Sequence, residues 1–361
     1  MAVLLLLAFA GQCLVLISRA PLNAIEVSMV QQGRGQLQGG KVVESAERSP
    51  LVYLLAALPT LAQPAPGEWR WTARLPFLLA GLLLGASLWY VARRLYGNVG
   101  GYIALILYAF SPTMIINGSR VRAEMVAAWG TFGCIFTGIA VAHTLYAPRE
   151  VVLWNWKRIL LLGVAIGVGV GAQFAAVVAA VITLAFMLYL VPERRGAALG
   201  ILGAACAVGF VVFLASYSFH IGALWDALRR AEIGGWRPGE LSSAASWRLL
   251  GNFFLRSSPG VMLLAVVALA TYAAWARTRF FGTTAPLLVS VVLLVLALVL
   301  PHVAGSGFLI VALPFVFVFT GGVLADLLES RQSALVLGVV TAVLVSHALF
   351  SVAGLWQLAV R

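Results

Sequence analysis

Long apolar stretches separated by polar loops recur along the whole chain. Within each stretch the apolar residues are continuous and do not alternate with polar ones, which is typical of buried helices and not of half-buried strands. A helix needs about 20 residues to cross the ~30 Å hydrocarbon core of a bilayer, and most stretches approach that length. The candidate spans are 1–18, 75–92, 99–117, 123–145, 159–170, 172–191, 197–216, 260–276, 285–300, 307–325 and 333–356. The pattern predicts an all-α, polytopic integral membrane protein with about 11 transmembrane or membrane-embedded helices.

Two apolar segments do not fit one ordinary span. Residues 159–191 are too long for one crossing and short for two, and their glycines indicate closely packed or broken helices. Residues 50–62 would extend only ~20 Å as a helix, which is less than the bilayer core. We therefore expect 50–62 to form an interfacial helix that lies along the membrane.

Composition indicates lipid as the surrounding solvent. Hydrophobic residues make up 62% of the chain and charged residues 10%, which is more apolar surface than a soluble domain could bury. The net charge of +12 does not indicate nucleic-acid binding, because the basic residues are distributed over loops between spans. One explanation for the basic residues is positive-inside topology together with attraction to anionic lipids. A second explanation is a lipid substrate that carries a phosphate.

The short basic loops predict the orientation of the chain. If the spans alternate, these loops fall on one side, which the positive-inside rule makes cytoplasmic. Their basic residues are Arg93, Arg94, Arg149, Lys157, Arg158, Arg194, Arg195, Arg277, Arg279 and Arg331. The long loops 19–74 and 217–259 then lie outside. We expect a single membrane domain over residues 1–361, in a bacterial plasma (inner) membrane, with both long loops external or periplasmic.

Four segments resemble, in order, the motifs of one family of membrane enzymes. The first is residues 23–26 (NAIE), after the first span, and the second is 48–54 (RSPLVYL), similar to a family stretch HPPLYY. The third is 74–124, in which RLP, ARRLYG, SP and SRVRAE are similar, in this order, to the family's RLP, ARRLFG, LSP and SRxARxE/D. The fourth is 301–314, similar to a late family stretch RYLLPxLP. Together they resemble the GT-C superfamily of polytopic glycosyltransferases, which includes protein O-mannosyltransferases and lipid A aminoarabinose transferases.

The resemblance implies a GT-C-like fold and transfer of a sugar from a polyprenyl-phosphate donor at the external face, with inversion of the anomeric centre. The implied partners are the polyprenyl-phosphate-linked sugar and anionic lipids of the membrane. Because a shared fold does not ensure a shared activity, the alternative is a catalytically inactive GT-C-like structural subunit of a larger membrane protein complex. A transporter is a third class, but the sequence shows neither acids within spans nor inverted repeats.

The chain departs from the family pattern at three places. The family's first-loop Asp has no counterpart, since Asn23 occupies roughly its place and Glu26 follows shortly after. Gln173 stands where the family often has Lys, and Gly307-Phe308 replace an Arg-Tyr pair. These departures favour the structural-subunit alternative, while the motif succession favours a glycosyltransferase.

Two acids are the candidate catalytic residues. A glycosyl acceptor hydroxyl needs a base, or at least a group that orients its proton. Glu26 lies nearest the family's catalytic position, and the alternative for it is a solvated loop acid that contributes little to stability. Glu124 stands at an external helix start and would contact acceptor or sugar. The alternative for Glu124 is complementation of the helix dipole with a local ion pair.

The donor phosphate would need cationic partners. Four arginines near external span ends are the candidates: Arg120, Arg122, Arg74 and Arg256. Contacts with lipid headgroups are the alternative for each. In the second long loop, tryptophans such as Trp225 would anchor the loop at the membrane interface, or would stack on a sugar or cover a lipid groove.

No cofactor is expected. The sequence has no HExxH, Walker, CxxC or dinucleotide-binding motif, and its only aspartates, Asp226 and Asp326, form no Asp-x-Asp pair. Cys13, Cys134 and Cys206 each lie inside an apolar stretch without metal-ligand spacing, and we interpret them as small packing residues.

Overall fold

The structure is a computed structural model that describes residues 1–45, 48–62, 69–146, 156–231, 237–300, 307–331 and 334–360. The side chains of residues 256, 257, 331 and 356–360 lie outside this description, as does the 301–306 part of the late family-like stretch. The α-helices of the described part are α1 (Ala2–Arg19), α2 (Ala24–Leu37), α3 (Leu51–Ala57), α4 (Trp69–Thr72), α5 (Leu75–Ala109), α6 (Pro112–Gly118), α7 (Ala123–Thr144), α8 (Trp156–Ala172), α9 (Val177–Leu190), α10 (Arg195–Ser216), α11 (Ile221–Arg230), α12 (Ala244–Ser257), α13 (Pro259–Ala274), α14 (Phe281–Val299), α15 (Gly307–Arg331) and α16 (Ala334–Val360).

The helical, polytopic architecture predicted from the apolar stretches is confirmed. Within the described residues seven helices are long and apolar enough to cross a membrane, or eight if the bent pair α12 and α13 is one span. The predicted number of about 11 is not confirmed. Part of the difference lies in α8 and α9, which have 17 and 14 residues and are shorter than the ~20 residues of an ordinary span.

Helix α5 contains the predicted span 75–92 and the first part of the predicted span 99–117, the rest of which falls in α6. It is interrupted at Tyr96 and Gly97, inside the predicted basic loop between those spans. Gly97 adopts a φ of +73°, in the left-handed region that favours glycine because it has no Cβ. Tyr108, after the interruption, donates from its hydroxyl to the carbonyl oxygen of Gly81, before the interruption, at 2.5 Å. The two parts of α5 therefore lie side by side there.

Neither of the two unusual apolar segments, 159–191 and 50–62, forms one ordinary membrane span. Residues 159–191 are broken into α8 and α9 by an extended Gln173 (φ −153°) and a short 3-10 turn, as predicted. Residues 50–62 contain α3 and the 3-10 turn Leu58–Thr60, which together form an apolar helix too short to span a membrane. The placement of 50–62 at the membrane interface stays a prediction.

The chain separates by contacts into two compact units that are interleaved in sequence. The first unit comprises Met1–Pro21, Phe77–Arg120 and Trp236–Arg361, and the second comprises Leu22–Pro76 and Val121–Gly235. The single membrane domain over 1–361 therefore stays a prediction.

The first unit has an aromatic core around Tyr108. This buried ring lies with its centroid 5.1 Å from that of Phe9 in α1 and 6.5 Å from that of Phe317 in α15. Helices α13 and α14 pack against α15, and α1 packs against α6 and α16. Large rings therefore fill the space between three segments that are distant in sequence.

The second unit is built around α8, which packs against α7 on one side and α10 on another. The backbones of α7 and α8 approach so closely that a Cβ added to Gly130 would lie 2.4 Å from Gly169 Cα. Small residues at such contacts let membrane helices pack backbone to backbone. The glycines in 159–191 therefore serve the close packing that the sequence indicated.

The first long loop, 19–74, is more structured than predicted. The sequence predicts one interfacial helix there, whereas the structure places α2, α3 and α4 in it. Helix α2 packs against α3 within the second unit. Because α2 is not strongly apolar, its hydrophobic pattern alone did not indicate it.

Candidate functional site

Glu26 begins the site, at the first turn of α2. Asn23 caps this helix: its side-chain oxygen accepts from the Glu26 amide at 2.8 Å, and Glu26 Oε2 accepts from the Asn23 amide at 3.0 Å. This reciprocal capping box satisfies two amide donors that a helix start otherwise leaves unpaired. The residue at the place of the family's Asp therefore fixes the start of α2, and with it the position of Glu26.

Arg74 closes the site from the segment between α4 and α5. Its Nε donates to Glu26 Oε1 at 3.0 Å, and its Nη2 donates to Oε2 at 2.5 Å. A bidentate arrangement of this kind is the strongest form of an arginine–carboxylate pair. The side chains of Arg74 and Glu26 are 2% and 3% exposed, so the pair is shielded from water and from salt.

The Glu26 carboxylate has no remaining acceptor capacity in this arrangement. In addition to its bonds with Arg74 and Asn23, its Oε1 accepts from the Val121 amide at 2.9 Å. Two oxygens with about four lone-pair directions thus receive four hydrogen bonds. The alternative of a solvated loop acid does not describe Glu26, because this residue is 2% exposed and both its oxygens are hydrogen-bonded.

The electrostatics of Glu26 follow from these contacts. Burial alone raises the pKa of its carboxyl, but hydrogen bonds from Arg74, Val121 and Asn23 outweigh burial and hold the pKa below its ordinary value. A base with a depressed pKa and no open lone pair is poorly suited to take a proton from a hydroxyl. The geometry fits a residue that holds neighbouring segments in place.

Glu124 differs from Glu26 in its bonding. It lies in the first turn of α7, three residues after Val121, and is 7% exposed. Its Oε2 is buried and has no hydrogen-bond partner within the described residues. Arg122 Nη1 lies 4.0 Å from Oε1, beyond hydrogen-bond distance. A buried carboxylate oxygen without a partner is costly, and a ligand hydroxyl would supply the missing hydrogen bond.

The candidate arginines have different surroundings. Arg74 was expected to meet phosphate, but two of its guanidinium nitrogens are bound to Glu26 inside the protein. The Arg122 side chain is 44% exposed and can meet a ligand. Arg120 is half-buried and belongs to the first unit, whereas Arg122 belongs to the second. The side chain of Arg256, near the end of α12, lies outside the described part.

The described part of the chain contains no group of three or more His, Cys, Asp or Glu side chains that could hold a metal ion. The described site offers the carboxylates of Glu26 and Glu124, the guanidinium groups of Arg74 and Arg122, and the backbone amide of Val121.

Comparison with known proteins connects this geometry to a fold. The family described as dolichyl-phosphate-mannose-protein mannosyltransferase matches residues 47–219. ArnT from Cupriavidus metallidurans, in a structure bound to undecaprenyl phosphate, is similar with a TM-score of 0.62 and 16% identity over 93% of this chain. The oligosaccharyltransferase AglB from Archaeoglobus fulgidus, in complex with an inhibitory peptide and a dolichol-phosphate, is similar with a TM-score of 0.65 and 12% identity over 98% of this chain.

The chain has the GT-C glycosyltransferase fold. This confirms the resemblance seen in the sequence motifs. The chain spans 61% of the ArnT chain and 56% of the AglB chain. No curated protein matches it by sequence.

The region matched by the family includes only one of the two candidate acids. Residues 47–219 include Arg74, Arg122 and Glu124, whereas Glu26 lies before the matched region. Glu26 is the first candidate from the sequence because it follows the first span and lies nearest the family's catalytic position. A local signal also stands in the sequence: Asn at position 23 with Glu three residues later is a helix-start pattern, in which the carboxylate bonds to the amide of the capping residue.

Proposed function

We propose that the protein transfers a sugar from a polyprenyl-phosphate carrier to an acceptor hydroxyl, at the membrane face that carries the long loops 19–74 and 217–259. The observation that carries the proposal is the buried, unpartnered Oε2 of Glu124 in a GT-C fold. The carrier is inferred from the undecaprenyl phosphate and the dolichol-phosphate held by the two structural neighbours. An external, periplasmic active side in a bacterial plasma membrane belongs to the same proposal, with anionic lipids and other membrane proteins as further partners.

In this proposal Glu124 acts on the acceptor. Its carboxylate accepts the hydrogen bond of the acceptor hydroxyl and takes the proton as the oxygen attacks the anomeric carbon. The new bond joins the acceptor oxygen to that carbon, and the bond from the same carbon to the phosphate oxygen breaks. Attack opposite the leaving group inverts the anomeric centre. The polyprenyl phosphate leaves as an anion, and the exposed guanidinium of Arg122 stabilises its charge.

Glu26 and Arg74 act as positioning residues in this scheme. The Val121 amide ties Glu26 to the chain just before α7, and the ion pair with Arg74 ties Glu26 to the segment before α5. Glu124 is one helical turn beyond this fixed point. The contribution of Glu26 is therefore to hold the Glu124 carboxylate where an acceptor can reach it. Roles for Arg120 and Arg256 in phosphate binding stay predictions.

The test is transfer by the purified protein in liposomes, measured as release of polyprenyl phosphate from a panel of polyprenyl-phosphate sugars. Glu124→Gln keeps size but removes the base, so turnover should fall by about 10²–10⁴. Arg122→Ala should raise the KM for donor more than it lowers kcat. The matched control is Glu193→Gln, an exposed acid in a short turn of the same unit.

Two outcomes would contradict the proposal. Full activity of Glu124→Gln would discard the assigned base. Absence of transfer from every donor by wild-type protein, together with stoichiometric copurification of other membrane subunits, would support the inactive structural subunit instead.

A further inference from the structure

A cleft separate from Glu124 lies in the second unit, between the extended segment 42–45 and helix α11. Its volume is about 230 Å³, and the α11 side is lined by Tyr217, Ala223, Ala227 and Arg230. Ligand pockets for drug-sized molecules occupy ~300–1,000 Å³, so this cleft fits one smaller group, such as a single sugar ring.

The walls of this cleft are held by one buried glutamine. Gln36, near the end of α2, donates from Nε2 to Ser216 O at 2.9 Å and to Ser218 Oγ at 3.3 Å. Its Oε1 accepts from the Val43 amide at 3.2 Å. One side chain thus connects the segment 42–45 to the turn between α10 and α11, which fixes the separation of the two walls.

The turn that the glutamine holds has an unusual backbone. Ser218 and Phe219 adopt φ values of 52° and 60°, in the left-handed region that side chains with a Cβ rarely enter. Such backbone conformations are costly for residues with a Cβ and persist where surrounding contacts impose them. The turn directs α11 back over the segment 42–45, so the cleft is a built feature of the second unit.

An ion pair forms the polar rim of the cleft. Arg230 Nη1 donates to Glu44 Oε2, and Arg230 Nε donates to Asp226 O at 3.1 Å. The hydrogen bond from Arg230 lowers the pKa of Glu44, so both groups are charged at neutral pH. Within the described residues, the second oxygen of Glu44 and Arg230 Nη2 keep capacity for further hydrogen bonds.

The pairing of Glu44 with Arg230 favours a ligand without net charge. An anion attracted by Arg230 would be repelled by Glu44, and a cation would meet the reverse. A neutral hydroxyl both donates and accepts, so adjacent hydroxyls can bind the carboxylate and the guanidinium together. The alanines and valines of the walls would pack against the apolar carbons of a sugar ring.

We propose that this cleft binds a neutral sugar of the glycosyl acceptor. The inference rests on the proposed transferase function. Glu26 and Gln36 are ten residues apart on α2, which is ~15 Å along a helix, so the cleft lies away from the reacting hydroxyl. It would hold a remote part of the acceptor, whose binding energy positions the reacting part.

The test measures binding of neutral glycosides to the full chain without any donor, so it does not depend on turnover. The protein is placed in lipid nanodiscs, because alkyl-glycoside detergents would compete. Saturation-transfer NMR is recorded with methyl α-D-mannopyranoside, methyl β-D-glucopyranoside and methyl β-D-galactopyranoside. Inorganic phosphate serves as the anionic probe, and its binding is followed by broadening of its phosphorus NMR signal. Wild-type protein should bind at least one glycoside and no phosphate.

Variants locate the site. Ala223→Leu fills the cleft and should abolish glycoside binding, whereas Gly222→Leu on the same helix, where an added Cβ meets no atom within 4 Å, should not change it. Glu44→Gln removes one charge-assisted hydrogen bond and should weaken glycoside binding about tenfold. The same variant leaves Arg230 uncompensated, so it should gain binding of phosphate.

Several results would overturn the cleft proposal. Glycoside binding that survives Ala223→Leu places the site elsewhere, and phosphate binding by wild-type protein assigns the cleft to an anion. A lack of signal from all three glycosides also rejects it. If transfer is observed and Ala223→Leu leaves the acceptor KM unchanged, the cleft proposal fails while the transferase proposal stands.

Discussion

The backbone amide of Val121 donates to Glu26 Oε1 over 2.9 Å, so an acid in the first turn of α2 holds the chain just before α7. The two residues are 95 positions apart in the sequence. Glu124 lies one turn further along, in the first turn of α7, where the Oε2 of its carboxylate is buried without a hydrogen-bond partner among the described residues. The bonding of Glu26 and the position of Glu124 are therefore coupled through the backbone between them.

The first prediction concerns the stability of the ion pair. Glu26→Gln leaves the buried Arg74 guanidinium without its counter-charge, and breaking a buried pair from one side costs about 3–5 kcal/mol. We expect a clear drop in the thermal unfolding temperature of the protein in detergent. Glu26→Leu combined with Arg74→Met should recover only part of that loss, because no unpaired charge remains but the Asn23 and Val121 amides lose their acceptor. If Glu26→Gln is as stable as Glu193→Gln, the buried pair does not exist in solution.

The second prediction concerns pH. The folded-state pKa of Glu26 lies below its ordinary 4.5, so the ion pair contributes its full stability above about pH 5. That stability is lost as the pH falls through the folded-state pKa, because a protonated carboxyl no longer attracts Arg74. We therefore expect the difference in unfolding temperature between wild-type and Glu26→Gln protein to shrink on acidification from about pH 6 to about pH 3. A constant difference would contradict the assigned cause.

The sequence was sufficient for the membrane architecture because continuous apolar stretches report burial in lipid directly. The interruption of α5 near Gly97 and the division of 159–191 could also be predicted, since segment length and glycine content limit how far one helix can continue. The number of spans was not readable, because helices α8 and α9 are apolar without reaching the length of a full crossing.

Only part of the candidate site could be predicted from the sequence. The motif around Glu124 indicated a segment in which the structure has a buried carboxylate oxygen without a partner among the described residues. The partner of Glu26 could not be deduced, since Arg74 is 48 residues away and meets it only in the folded chain. Exposure was misjudged for the same reason: an acid in a polar loop is usually solvated, and here two distant segments enclose it. The cleft beside α11 depends on Gln36 bonding to Ser216, 180 residues away.

The third prediction concerns the outer face of α11. Ile221, Trp225 and Leu228 recur at helical spacing on one face and are 70%, 56% and 42% exposed, while Leu224 on another face is buried. Because α11 begins shortly after the apolar helix α10, we expect this stripe to insert into the membrane interface. A nitroxide label at position 221 should be more accessible to oxygen than to a water-soluble nickel complex. A label at Asp226, an exposed polar position, should show the reverse.

The fourth prediction concerns orientation. If the long loops are external, cysteines placed at Ser45 and Ser243 will react with a membrane-impermeant maleimide on intact cells. A cysteine at Arg93, in the basic interruption of α5, should react only after the cells are opened. Labelling of positions 45 or 243 from the cytoplasmic side alone would reverse the assigned orientation and place Glu124 on the cytoplasmic face.

The last prediction connects helix packing to the site. Gly130 lies in α7, less than two turns from Glu124, and a Cβ there would meet Gly169 Cα at 2.4 Å and Ala165 O at 2.9 Å. These are backbone atoms, so α7 and α8 must separate to admit a methyl group, at a cost of about 1–3 kcal/mol. Gly130→Ala should therefore lower the unfolding temperature, and, if Glu124 is the base, it should lower turnover as well. The control is Gly203→Ala in α10, where a Cβ meets nothing within 4 Å and the higher helix propensity of alanine should raise stability slightly. Equal stability of the two variants would show that α7 and α8 do not pack this closely. A loss of stability without any loss of turnover would instead separate the packing of α7 from the position of Glu124.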